Sequence, residues 1–170
     1  MRAAILITLL AFTPSVSTVA AVAVFTANAE RKWPVDEREP FVTAEALRLL
    51  EVAGRAIADD SKLNTGKVHD SIAAFEAARA ALEVKVRGDK DRPHLAREAL
   101  VKGRAMIDAL AAALDRDDGP MRRQLAELKQ TADALDRKRQ VRQQGEVLER
   151  YFHQAAELMK GLIQTPAPNG

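Results

Sequence analysis

An all-α fold is predicted by three features of the sequence: its residue types, its apolar periodicity and the placement of its glycines and prolines. Alanine occurs 32 times in 170 residues, and Leu, Arg, Glu, Lys and Gln fill much of the rest; these are the strongest helix formers. Beyond residue 42, apolar residues return at steps of three and four, and no alternating run of the kind that builds a half-buried strand is present. Gly88, Pro93 and the pair Gly119-Pro120 fall between the periodic runs, where helices stop and start. The expected architecture is an antiparallel helical bundle of three to four helices, the last one long, behind a single N-terminal apolar helix.

The first 29 residues read as a separate object. No charged residue occurs from Ala3 to Ala29, whereas Arg2 precedes this run and Glu30, Arg31 and Lys32 follow it. A secretory signal has an apolar stretch of about 7–15 residues and a small-x-small cleavage site, which Ala27-Asn28-Ala29 supplies. The run is longer than that, and Ile5 to Phe25 matches the roughly 20 residues that cross a bilayer. Trp33 follows where an aromatic ring settles at the membrane interface, with Arg31 and Lys32 beside it. The balance favours an uncleaved signal-anchor that meets the membrane through residues 3–26 and carries an exported domain. Secretion after cleavage near Ala29 is the alternative. Basic residues flank the run on both sides, so orientation stays open. Residues 30–42 mix charges with Pro34 and Pro40 and read as an extended linker, followed by a helical domain over 43–164 and a disordered tail over 165–170.

Within 43–164 the helices are expected in order. Thr43 can cap a first helix to about Ala58, with Ala46, Leu47, Leu50, Gly54 and Ile57 on its inward stripe. A second repeats Val68, Ile72, Phe75 and Leu82 and stops near Gly88. Asp91 can cap a third, with Pro93 in its first turn and Leu95, Ala99, Gly103, Met106, Leu110 and Leu114 facing in. Gly54 and Gly103 lie on these stripes, where a missing side chain lets another helix approach.

The segment from Pro120 onward has no further proline until Pro166 and is expected to form one helix of more than forty residues. Met121, Leu125, Leu128, Ala132 and Leu135 form one apolar frame. Val141, Leu148, Phe152, Ala155, Met159 and Leu162 form a second, one residue out of register with the first. On a straight helix the two stripes would occupy different faces. The second stripe is therefore expected to present Leu148, Tyr151, Phe152, Met159 and Leu162 to something beyond the first bundle, either a protein partner, a second copy or the chain itself. A reversal near Gly145 that folds the segment back is the competing arrangement.

Charge and chemistry narrow the functional classes. With 26 Lys and Arg against 24 Asp and Glu, the net charge is +2, which gives no single-sign field for nucleic acid even though the pI is near 9.0. The absence of Cys excludes disulfides, thiolate metal sites, a Cys nucleophile and covalently attached haem. His69, His94 and His153 lack the spacing that places two ligands on one helical face. His69-Asp70-Ser71 has triad residue types, but consecutive helical positions diverge by about 100°. Asp115, Asp117 and Asp118 lack the closing Glu of a calcium loop and read as helix-end residues. Arg137, Lys138, Arg139 and Arg142 form one basic cluster, read as a solvated face. No catalytic or metal constellation and no cofactor emerges. The expected function is that of a non-enzymatic accessory or scaffold protein binding another subunit of a membrane-associated assembly. The alternative is a ligand or b-type haem binding bundle using His153 with Met106 or Met121.

Overall fold

The computed structural model describes residues 14–33, 38–63, 65–116 and 118–164. Six α-helices pack together: α1 (Val16–Ala29), α2 (Glu39–Asp60), α3 (Gly66–Glu83), α4 (Arg92–Ala113), α5 (Gly119–Asp133) and α6 (Gly145–Ile163). A 3-10 turn, Val141–Gln144, leads into α6. No strand occurs among the described residues. The first part of the anchor run, residues 34–37 of the linker and the expected tail lie outside them.

Local chemistry sets most helix ends. The Oγ of Ser15 accepts from the Thr18 amide at 3.2 Å, the Thr65 hydroxyl from Val68 at 3.4 Å and the Asp118 carboxylate from Met121 at 2.8 Å, so each satisfies an orphan N–H of a first turn. Helices α2 and α4 instead begin with Pro40 and Pro93 in the first turn, where a missing N–H costs nothing. Asp91 is the residue before α4 as expected, but its side chain makes no capping bond. Helix α2 starts earlier than expected: Thr43 lies inside it, its hydroxyl donating to Glu39 Oε1 at 2.8 Å. At their far ends, α2 and α4 close with Leu63 and Arg116 amides donating back to Ala58 and Ala111, which puts Lys62 and Asp115 at positive φ. Gly88, with φ +85°, turns the chain between α3 and α4.

Side-chain pairing aligns α2 with α3. Arg48 meets Glu83, Glu51 Oε2 accepts from Arg79 Nε at 2.7 Å, and Arg55 Nη2 donates to Glu76 Oε2 at 2.6 Å. As the number rises along α2 its partner's number falls along α3. Every residue of the stripes expected on α2 and α3 is buried, as are Ala99, Gly103, Met106 and Leu110 of α4, with Leu95 and Leu114 partly so.

Two expectations are corrected. The segment after Pro120 is two helices, because the backbone leaves the helix between Asp133 and Val141. Gln144 makes this possible: its Oε1 accepts from the Asp136 amide at 2.6 Å, and its Nε2 donates to the carbonyls of Asp136 and Arg139 at 3.0 and 2.9 Å. One side chain thus supplies the hydrogen bonds that continued helix would have made. Both apolar frames are then buried in the same body, Leu125 and Leu128 on α5 and the second frame on the 3-10 turn and α6. Second, residues 16–29 do not stand apart behind a linker; α1 packs on α2 and α6 and shares the core through Val22, Phe25 and Ala29. No helix among the described residues is long and apolar enough to cross a membrane, and residues 3–13 of the expected anchor lie outside them.

Candidate interaction surfaces

The residues expected to form a recognition face are inside the molecule. Leu148, Tyr151, Phe152, Met159 and Leu162 are all fully buried, so the exposed partner surface anticipated on α6 is not present. The cover comes from the chain itself. Phe152 stacks on Trp33, with ring centroids 5.0 Å apart and planes at 17°, and takes Phe25 edge-on at 6.5 Å. Tyr151 stands at 87° to Phe152 and donates its hydroxyl to the Leu100 carbonyl of α4 at 2.7 Å. Burial pushes its phenol far above the ordinary value, beyond any offset from the Arg104 backbone and charge nearby. Helices α1, α2, α4 and α5 all pack on α6, and α1 with Trp33 covers Phe152.

Gly103 receives this group. A Cβ there would lie 2.8 Å from Tyr151 Oη and 3.1 Å from Phe75 Cε2. A Cβ at Gly54 would lie 2.7 Å from Met106 Sδ and Cε. Both glycines mark close approach as expected, but what approaches is a large side chain in each case.

A second surface was not expected from the sequence. Where α2 begins and the chain leaves α3, a groove of about 740 Å³ opens between Pro40, Phe41, Ala44 and Leu49 on one wall and Val84 to Arg87 on the other. Phe41, Val84 and Val86 are 77%, 78% and 74% exposed. One buried residue fixes both walls: Arg92 donates from Nη2 to Glu39 Oε1 at 3.0 Å and from Nη1 to the Lys85 carbonyl at 3.2 Å. The start of α2 and the 84–87 segment are therefore tied to one guanidinium. Arg48, bridged to Glu83, and Glu45, 3.5 Å from Arg31, line the rim. The sequence did carry a sign of this site. Phe41 lies off the α2 stripe, and Val84-Lys85-Val86 places two large apolar residues outside a helix, where no stripe accounts for them.

The remaining candidates are dispersed. His153 is exposed, Met106 is buried against the Gly54 position and Met121 lies near Gly161, so the pairs that a haem would need are not brought together. His69 and His94 are exposed, and no cluster of three metal-ligating side chains exists among the described residues. Arg137, Lys138 and Arg139 are exposed on the α5–α6 connection, while Arg142 is half-buried with its Nε donating to Gln140 Oε1 at 2.8 Å. Asp133 is held below the usual carboxylate range by hydrogen bonds from Arg97 and Lys129, each at 3.0 Å, an ion pair that ties α4 to α5.

Comparison with known proteins returns no matching family model, no curated relative and no similar solved structure.

Proposed function

We propose that this chain is a non-enzymatic accessory protein of a membrane-associated assembly, a six-helix antiparallel scaffold that holds another protein in the groove beside Phe41. One observation carries the reading: three large apolar side chains, each more than 70% exposed, converge on one concave site whose two walls share a buried anchor. Contiguous apolar exposure on a small domain marks interaction sites, whereas scattered single residues do not. Attachment to a membrane through the uncharged run that begins at Ala3 is part of this proposal, with export of the helical body and cleavage near Ala29 as its finer, separable points.

The test is affinity purification of the tagged full-length chain from membranes in mild detergent, comparing wild type with Phe41→Asp. A partner that is retained by the wild type and lost by the variant, at unchanged melting temperature, supports the reading; equal retention by both removes the groove from it. A second reading is favoured by the groove's volume, which falls within the range of about 300–1,000 Å³ typical of small-ligand sites. Native mass spectrometry of the purified chain separates the two, since a bound small molecule adds a discrete mass without a second polypeptide.

A further inference from the structure

We infer that the Phe152 face of α6 is an interaction surface occupied in cis, with α1 as its occupant in water and a lipid bilayer as the competitor that draws α1 away. This rests on the membrane reading above. The uncharged run that precedes Thr18, the first side chain α1 buries, is Ala3–Ser17, 15 residues, against the roughly 20 that cross a bilayer. A span must therefore recruit residues to about Phe25, and Val22 and Phe25 are the side chains that α1 buries in the core. The same residues serve both placements, so the placements exclude each other.

The chemistry of α1 suits such an exchange. Its outward face consists of Val16, Ser17, Val19, Ala20, Ala23, Val24 and Ala27, without a charge, whereas a helix that permanently covers a bundle is polar outside. Its inward side is imperfectly satisfied. Thr26 Oγ1, both amide atoms of Asn28 and Trp33 Nε1 are buried without a hydrogen-bond partner. Each such group destabilises the docked state and regains partners when it moves to a hydrated interface. The surface uncovered is centred on Phe152, and the ligand it fits is an uncharged helix bearing an aromatic side chain, since that is what α1 presents to it.

The sole Trp reports the exchange. The full-length chain is mixed with vesicles of equimolar phosphatidylcholine and phosphatidylglycerol carrying bromine on their acyl chains. Flotation, Trp33 emission and hydrogen exchange along α6 are then read together. The expected result is flotation, quenching of Trp33 by the brominated lipid and loss of amide protection around Phe152. Val24→Lys, on the outward face of α1, should keep the melting temperature yet abolish the quenching and the loss of protection. Flotation with Trp33 unquenched and α6 still protected overturns the exchange while leaving the membrane reading intact. Failure of the wild type to float overturns the membrane reading and the exchange with it. Quenching of Val24→Lys equal to that of the wild type would show that α1 is not the segment withdrawn.

Discussion

Trp33 lies against Phe152 with its ring plane within 17° of parallel, and neither residue belongs to the same helix or the same end of the sequence. Their contact closes the chain on itself, because the segment that follows α1 is held by the final helix. Phe152→Ala should cost about 3–5 kcal/mol of unfolding free energy, the usual range for a fully buried Phe. It should also shift Trp33 emission to the red. Denaturant unfolding checks the first and fluorescence the second; an unchanged midpoint would mean that α1 and Trp33 do not pack on α6.

The two core glycines should respond unequally to alanine. At Gly103 the new Cβ meets Tyr151 Oη, which is held by its bond to Leu100, and the rigid ring of Phe75. At Gly54 it meets only the end of Met106, an unbranched thioether that can change rotamer. Gly103→Ala is expected to cost about 1–3 kcal/mol as overpacking, and Gly54→Ala measurably less. Paired denaturant midpoints test the order, and Gly103→Leu should be worse than either.

Gln144→Ala removes three hydrogen bonds to the α5–α6 connection and leaves the Asp136 and Arg139 backbone groups to find water. The expected cost is about 1–3 kcal/mol. Hydrogen exchange should show the loss concentrated near residues 134–144. A uniform change across the chain would argue against a local role.

Breaking the pair beneath the groove should be expensive, since Glu39 and Arg92 are both buried. Glu39→Ala leaves Arg92 charged and without its carboxylate, at a cost of about 3–5 kcal/mol. The double variant Glu39→Ala with Arg92→Leu should recover part of that loss. A double-mutant cycle by chemical denaturation gives the coupling directly.

The one tyrosine supplies a pH test. Burial raises the Tyr151 pKa in the folded chain above its ordinary value near 10, so the folded state holds the proton that the unfolded state releases. Its contribution is present in full below that ordinary value and is lost as pH climbs through and beyond about 10. Tyrosinate absorbance should therefore rise together with loss of helix by circular dichroism. Absorbance that rises earlier, with helix intact, would mean that the phenol reaches solvent.

The helices were legible where one face decides burial. Val68, Ile72, Phe75 and Leu82 recur with helical spacing, and each went where that spacing pointed. The second helix frame on α6 was equally visible, but its meaning turned on the conformation of residues 134–140, where good helix formers meet no breaker. What breaks the helix there is Gln144, a residue whose capture of distant backbone groups leaves no local signature. The role of α1 was illegible for a different reason. An uncharged run reads the same whether it fills a bundle or a bilayer, and only the tertiary fit of Phe25 and Trp33 to Phe152 distinguishes the two. The groove was missed because Phe41, Val84 and Val86 are exceptions to the stripes, and exceptions acquire meaning only when the fold gathers them.

The ion pairs between α2 and α3 act as a vernier. Along α2 the signs run plus, minus, plus at Arg48, Glu51 and Arg55, and α3 answers with Glu83, Arg79 and Glu76. Sliding α3 by one turn in one direction would set Arg48 against Arg79 and Glu51 against Glu76. Sliding it the other way would set Glu51 against Glu83 and Arg55 against Arg79. Exposed pairs of this kind contribute little to stability, but a slip of one turn in either direction brings like against like, so the pattern discriminates against the two neighbouring registers.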